Sequence, residues 1–204
     1  MKKTEELVSS NIALQGEFDP VKFDKLFFIK NDVFAEEDFE ENSLFSKNAV
    51  RISTKDFLIN ISKKQLIIIL KNNATNVDKI SKIITTLRNH YSFMISFNQK
   101  WFKSDDNVTE LTKKKFYPSN SEYLNEYFNT EDSAFGYYAS KNLDYGRFKV
   151  DIKPITLLSV VEKSELTVLS FDFTFYIEKL KEEFDPKEIL ITLKEESEKI
   201  ITKF

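Results

Sequence analysis

The sequence predicts an α+β protein in which a mostly antiparallel sheet has helices packed on one face. Alternating apolar and polar residues at 148–152 and 169–177 are typical of strands that bury one face. Apolar residues recur at helical spacing over 77–91 and 189–204. A short polar turn at 62–64 separates two apolar runs, as it does in a hairpin. Strands joined in this way pair in antiparallel fashion.

The chain begins with a weak strand pattern at 8–15. Asp19 is then placed to cap a short helix that has Pro20 at its first position. This helix is expected to bury three apolar residues: Phe23, Leu26 and Phe27. A stretch of acidic residues at 34–41 indicates a surface helix or turn. Three further strands are predicted at 49–52, 57–61 and 65–70.

The middle of the chain contains the first long helix, at 77–91, where Thr75 and Asp78 resemble a capping box. A half-buried strand follows at 93–99. Residues 104–142 form the least regular part, with one short helix predicted around 121–128. Because this part contains many Tyr and Phe residues, we expect it to lie across the domain instead of forming a flexible linker.

The last third of the chain has the clearest signals. After the two alternating strands, Asp185, Pro186 and Glu188 supply an N-cap, a proline at the first helical position and a glutamate at the third. The helix that follows carries an apolar stripe that we expect to face the sheet. The stripe consists of Ile189, Leu190, Leu193, Ile200, Ile201 and Phe204.

Two domain arrangements follow from this order of elements. Both halves contain strand, strand and helix, so that 57–89 matches 148–202. The chain is therefore expected to form a single domain over 1–204, and a division into two pseudo-repeated β-β-α halves stays open. Those halves would cover about 1–103 and 135–204, with an irregular segment at 104–134 between them.

The composition restricts the classes of protein that the chain can belong to. With 41% hydrophobic and 31% charged residues among 204, it is too apolar for a disordered chain. The absence of cysteine excludes disulfides, thiolate nucleophiles, zinc fingers and iron–sulfur clusters, and it fits a reducing compartment. The first residues lack a secretory signal, and the longest apolar run, 66–70, is too short to cross a bilayer. We therefore expect a cytoplasmic protein that does not contact membranes.

Parts of the chain resemble a group of uncharacterised prokaryotic α+β proteins that are sporadically distributed. The likeness comprises a strand at 51–61, a helix at 77–90 and the segment 93–98, where the group commonly has Gly at the position of Ser96. The segment 169–173 and the terminal helix resemble the C-terminus of the group. The resemblance covers about 50–100 and 147–204. It implies an α+β fold and a patchy distribution near defence or toxin–antitoxin genes, and it implies no catalytic residue.

Catalytic motifs are missing from the sequence. His90 is the only histidine, which excludes His-pair metal sites and makes a Ser-His-Asp triad improbable. Its place at the end of a predicted helix has an ordinary structural explanation, the dipole of the helix C-terminus. The three glycines, Gly16, Gly136 and Gly146, stand apart from one another, so no phosphate-binding loop is present. We predict no catalytic residue and no cofactor.

A carboxylate-only Mg²⁺ site is a weak alternative to this interpretation. Asp172 lies on the polar side of an apolar strand and is expected to lie near Asp151 on the neighbouring strand. Hard cations prefer such oxygen ligands. Polar-side acids on half-exposed strands are common, however, and no nuclease-like spacing accompanies them. The sequence therefore predicts no metal site.

Basic and aromatic residues alternate in two short segments. These segments are Lys100-Trp101-Phe102-Lys103 and Lys113-Lys114-Lys115-Phe116-Tyr117, and the candidate binding residues are Lys100, Trp101, Phe102, Lys113, Lys114 and Lys115. Proteins that bind single-stranded nucleic acids use such side chains for base stacking and phosphate contacts. Acidic residues lie between the two segments, and the formal net charge of the chain is −3. A solvated loop with buried aromatic side chains is the competing interpretation.

The acidic stretch at 34–41 is the strongest local charge signal. Glu36 and Glu37 lie beside Phe34 and Phe39, a combination that suits contact with a basic protein partner. The competing interpretation is a solvated helix face. Without catalytic motifs, we expect a non-enzymatic protein-binding or regulatory component that works with a protein partner or as a homo-oligomer. The alternatives are an RNA or single-stranded DNA binding protein and a Mg²⁺-dependent enzyme.

Overall fold

A computed structural model describes residues 5–71, 76–118, 120–128, 130, 133–143, 146–159, 164–178 and 185–204. Within these residues nine strands form one antiparallel sheet accompanied by five α-helices, which confirms the predicted α+β class. The strands are β1 Glu5–Gly16, β2 Leu44–Phe45, β3 Val50–Ser53, β4 Phe57–Ile61, β5 Gln65–Leu70, β6 Phe93–Lys103, β7 Tyr137–Leu143, β8 Gly146–Ser159 and β9 Ser164–Ile177. The helices are α1 Lys25–Lys30, α2 Val77–Arg88, α3 Val108–Phe116, α4 Glu122–Phe128 and α5 Pro186–Lys203.

The sheet has the strand order β2-β3-β4-β5-β1-β6-β9-β8-β7, with β1 and β6 paired at its centre. Strand alternation decides which side chains face the core. In β9, Phe171 and Phe173 are buried, whereas Asp172 and Thr174 point to the opposite face and are only half-buried. The other central strands alternate in the same way, so one face of the sheet is mainly apolar, with Gln99 and Lys103 as buried polar exceptions on β6.

Helices cover this apolar face. The side of α2 that carries Ile80, Ile83 and Leu87 belongs to the core, and α5 contacts β6 and β9. Helix α3 contacts β8 and β9, and the ring of Phe204 after α5 lies 5.3 Å from that of Phe171. At the other end of the sheet, Phe28 of α1 joins the same core. The structure therefore confirms that helices pack on one face.

Capping residues act largely as the sequence predicted. The Asp185 side chain accepts a hydrogen bond from the Lys187 amide, with Pro186 at the first helical position. Asp19 caps a 3-10 helix, Pro20–Lys22, in the same manner. The predicted cap Thr75 lies outside the described residues. In the described part of the chain, the Asn76 side chain caps α2 by accepting from the Lys79 amide at 3.2 Å.

The two halves of the sheet contain the same succession of elements. A long strand, β1 or β6, occupies the centre, a helical segment follows, and the chain returns through antiparallel strands to a partner beside the long strand. A helix, α2 or α5, then closes each half, and these two helices contact each other. In this succession β6 opens the second half, whereas the sequence had grouped residues 93–103 with the first. Assignment of one domain or of two repeated halves stays a prediction.

Three elements differ from the sequence-based predictions. Leu26 was expected to be buried but is 56% exposed, because α1 is short and turns Phe28 to the core instead. Helix α3 and strand β7 lie in the segment that was predicted to be largely irregular. Helix α3 buries only Val108 and Thr112, and β7 has no buried residue, so neither carries a strong apolar periodicity.

Candidate binding face

The face of the sheet opposite the helices, called the open face below, carries the polar alternate residues of the central strands. None of α1, α2, α3 and α5 packs against it. Its central row crosses four strands through Asn11, Asn98, Thr174 and Lys149. The Thr174 hydroxyl donates to Asn98 Oδ1 at 3.1 Å, and Asn98 Nδ2 donates to Asn11 Oδ1 at 3.1 Å. These hydrogen bonds hold the side chains of the row in defined positions.

The next row along the open face contains the two predicted metal candidates. Asp172 and Asp151 are directly opposed on β9 and β8, whereas the sequence predicted only that they lie near each other. Each carboxylate has its own cation: Lys100 Nζ lies 3.2 Å from Asp172, and Lys153 Nζ contacts Asp151. The hydrogen bond from Lys153 to Asp151 raises the pKa of that ammonium group. The row therefore consists of two ion pairs side by side, partly exposed to solvent.

Within the described residues, no group of three or more His, Cys, Asp or Glu side chains is arranged to hold a metal ion. We expect Mg²⁺ and EDTA to leave the melting temperature of the protein unchanged, because each Asp is already paired with a lysine. A ligand that binds only the native state must raise its stability, so differential scanning fluorimetry checks this expectation. A Mg²⁺-dependent rise that is lost in Asp172→Asn would support the enzyme alternative instead.

Two further cations on the open face lack a carboxylate partner among the described residues. Arg147 donates to the Ser140 hydroxyl at 2.5 Å, and Lys149 lies over the ring of Tyr176 at 5.7 Å from its centroid. Together with Lys100 and Lys153, they give this block of β6, β8 and β9 an excess of positive charge over Asp151 and Asp172. In the sequence, Arg147, Lys149 and Lys153 are the polar residues that alternate with the apolar residues of β8. Nothing in the sequence distinguishes them from ordinary solvated residues.

The half of the open face formed by β4 and β5 is more apolar. Leu58, Ile67 and Ile69 lie on it and are half-buried, although no strand or helix named above covers them. At its edge a cavity of ≈ 470 Å³ is lined by residues that include Leu44, Arg51 and Ile67. Leu44 is 65% exposed. The open face therefore has an apolar area on β4 and β5 and a charged area on β6, β9 and β8, with β1 between them.

The structure does not bring the predicted nucleic-acid-binding segments together. Lys100 and Phe102 point to the open face, but Trp101, between them on β6, packs against the core and donates its Nε1 proton to Gln99 Oε1. Lys113, Lys114 and Lys115 form the last turn of α3 on the opposite side of the sheet, where Lys115 Nζ lies 4.0 Å from the Phe204 ring. The six residues therefore do not form one site, because the two segments lie on opposite sides of the sheet.

The predicted acidic partner site is also altered by the fold. Phe34 is only 3% exposed and its ring contacts Phe28, Phe39 and Phe57, so it is a core residue. Phe39 is partly buried against the same core. Glu36 and Glu37 remain exposed in a 3-10 helix. The expectation that Phe34 offers a contact surface is therefore wrong, because the segment closes the core over β4.

Two other acids of this stretch are bound within the protein. Asp38 pairs with Lys79 at 3.0 Å, and Glu40 pairs with Lys71 at 2.9 Å. The Ser53 hydroxyl also donates to Glu40 at 2.6 Å. The hydrogen bonds from Ser53 and Lys71 lower the pKa of Glu40. These contacts attach the acidic stretch to α2, to β3 and to the end of β5.

We expect Glu40→Gln to make unfolding less sensitive to acid. A carboxyl group with a lowered folded-state pKa stabilises the fold above its unfolded pKa, and this contribution is lost as the pH falls through the folded pKa. The difference in unfolding free energy between wild type and Glu40→Gln should therefore shrink from neutral pH to about pH 3, in urea titrations. Glu41→Gln, at the exposed neighbouring residue, is the control. A difference independent of pH would contradict the assignment.

Comparisons with known proteins leave the chain without an assigned family. No protein-family model matches the sequence, and no curated protein is significantly similar to it. Among the described residues, no helix combines the length and apolar character that a membrane span requires. The geometry of the open face is therefore the basis for the functional proposal.

Proposed function

We propose that the protein is a non-enzymatic binding protein that contacts a protein partner through the open face. The observation that carries this proposal is a broad sheet face against which none of α1, α2, α3 and α5 packs. On this face the polar row lies between an apolar area around Ile67 and Ile69 and a charged area around Arg147 and Lys149. Protein interfaces combine an apolar buried core with a polar rim, and they are enriched in aromatic and arginine side chains. The resemblance described above supports an accessory or antitoxin-like role in a microbial or phage defence-related system.

The ordered side chains of the open face favour specific binding. The Asn11, Asn98 and Thr174 side chains are already hydrogen-bonded to one another. Fixing a free side chain at an interface costs about 0.5–1.5 kcal/mol, so side chains that are ordered beforehand lose less entropy on binding. The open face would bind a partner with complementary polar groups and charges in preference to proteins that place like charges against its ion pairs.

The test compares three tagged baits in an extract of the organism that encodes the chain. The baits are wild type, an open-face variant with Arg147→Glu and Lys149→Glu, and a control with Lys82→Glu and Lys194→Glu on the helix side. All three should melt similarly, since the replaced side chains are not buried. We expect wild type and control to retain the same protein partner and the open-face variant to lose it. Equal retention by the open-face variant would reject this surface.

Single-stranded nucleic acid is the second candidate for the open face. It is favoured by the excess of Lys and Arg over Asp in the charged area and by the rings of Tyr176, Tyr138 and Phe102 on the same face. Fluorescence anisotropy with labelled single-stranded RNA and DNA tests it. Binding that weakens steeply with salt, and that Arg147→Glu with Lys149→Glu removes, would support this candidate. A partner that stays bound after nuclease treatment would support the protein-binding proposal.

A further inference from the structure

An exposed aromatic helix, α4, and an apolar groove both lie near the end of α3, where Tyr117 contacts Asn125 of α4 and Phe116 lines the groove. In α4, Tyr123 is 67% exposed, Tyr127 59% and Phe128 49%. Tyr123 and Tyr127 lie one turn apart with ring centroids 4.9 Å from each other. Aromatic side chains of this kind are the usual anchors of protein interfaces, because each buries a large area at a small cost in side-chain entropy.

The groove, called the C-terminal groove below, has a volume of ≈ 460 Å³. It lies between the ends of α3 and α5 over strands β7 and β8. Its apolar lining includes Phe116, Ala139, Phe148, Val150, Ile200 and Phe204. The equivalent outer strands at the other end of the sheet are closed by Phe28, Val33 and Phe34, all at most 3% exposed. At that end of the sheet, a segment of this chain that contains aromatic residues therefore already packs over the outer strands.

Charges at the two surfaces are complementary. Helix α4 presents Glu122 and Glu126, both exposed and one turn apart. The C-terminal groove is bordered by Lys141, which lines it, and by the exposed Lys203 at the end of α5. Lys115 at the end of α3 is also exposed, and its ammonium group donates to the Phe204 carbonyl oxygen at 2.9 Å. An acidic helix with aromatic anchors therefore matches an apolar groove with a basic border, both in polarity and in sign of charge.

We propose that the protein self-associates through reciprocal insertion of α4 into the C-terminal groove of a second copy. A two-fold axis makes the contact mutual, so that the α4 of each copy occupies the groove of the other. The position of α4 suits this exchange, because Tyr117 at the end of α3 contacts both Asn125 of α4 and Phe135 just before β7. The dimer leaves the open face free, so this inference stands independently of the proposed function.

Analytical ultracentrifugation over a concentration series tests the association. Wild type should pass from monomer to dimer, and the double variant Tyr123→Glu with Tyr127→Glu should remain monomeric. Tyr138→Glu is the matched control, since Tyr138 is 61% exposed but faces the open side of β7. Lys141→Glu should weaken dimerisation about tenfold, because each dimer contains two copies of the border contact. Adding Glu126→Lys to Lys141→Glu should restore it.

A cross-linking experiment locates the contact. Because the chain has no cysteine, Tyr127→Cys and Lys141→Cys can be made as separate variants and mixed under oxidising conditions. The expected product is a disulfide that links Cys-containing peptides of the two different variants, identified by mass spectrometry. A mixture of Tyr138→Cys with Lys141→Cys should give little of this product. Wild type that is monomeric at all concentrations, or a dimer disrupted by Tyr138→Glu and not by the α4 variant, would overturn the inference.

Discussion

Replacing Phe171 with alanine is expected to lower the free energy of unfolding by about 3–5 kcal/mol. Phe171 is fully buried at the centre of β9, with its ring 6.3 Å from that of Phe173 and 5.3 Å from that of Phe204. Removing the ring loses the free energy gained by burying it away from water. It also leaves a cavity between the sheet and the helices. Urea unfolding followed by circular dichroism measures the change.

The matched control for Phe171 is another phenylalanine of the same sheet. Phe45 lies on the short edge strand β2 and is 38% exposed, so Phe45→Ala should cost clearly less. If both variants lost the same stability, the packing of β9 against the helices would not be the main source of stability at this position. A change confined to Phe171→Ala supports the apolar face described above.

The second large effect is expected for Leu193→Ala, at about 2–5 kcal/mol. Leu193 is 2% exposed in the middle of α5, whereas Ile200 on the same stripe is only partly buried and lines the C-terminal groove. Both residues were expected to face the sheet, but their packing differs. The cost of Ile200→Ala should therefore fall below that of Leu193→Ala in thermal and chemical unfolding.

Ile191, 43% exposed on the other side of α5, provides the control for this helix. Ile191→Ala should change the stability by no more than about 0.5 kcal/mol, since exposed positions seldom contribute more. An unchanged melting temperature for Leu193→Ala would contradict the assignment of the apolar stripe. Equal losses at Leu193 and Ile191 would contradict the assignment of a buried and an exposed side to α5, because alanine has the higher helix propensity at both positions and does not itself cause a loss.

Where periodicity was strong, the sequence was sufficient to predict the fold. The alternation of β9 placed Phe171 and Asp172 on opposite faces, and the Asp185-Pro186 pair located the start of α5. It failed where few residues are buried, as in α3, whose N-cap Asn107 accepts a hydrogen bond from the Glu110 amide. Asn107 followed by Glu110 is a local N-cap signal in the sequence, and it is independent of apolar periodicity. Strand β7 offers no comparable signal.

The candidate sites were harder to predict, for a physical reason. Neighbouring residues of a strand point to opposite faces, so the sequence cluster of Lys100 and Trp101 is divided by β6 itself. Phe34 looked like a surface residue because its neighbours are acidic, and only its tertiary contact with Phe57 shows that it belongs to the core. The proximity of Asp151 and Asp172 follows from the alternation of two neighbouring strands, whereas their direct opposition depends on a register that the sequence does not show.

The central position of β1 has a consequence for synthesis on the ribosome. Its residue Asn11 pairs with Ile69 on one side and with Asn98 on the other, so the second partner emerges only after α2 has been made. Until then a nascent chain exposes one long unpaired strand edge, which is a template for pairing with other chains. Pairings between distant residues also slow folding. Chaperone dependence during translation is therefore expected to exceed that of the finished protein during refolding from denaturant.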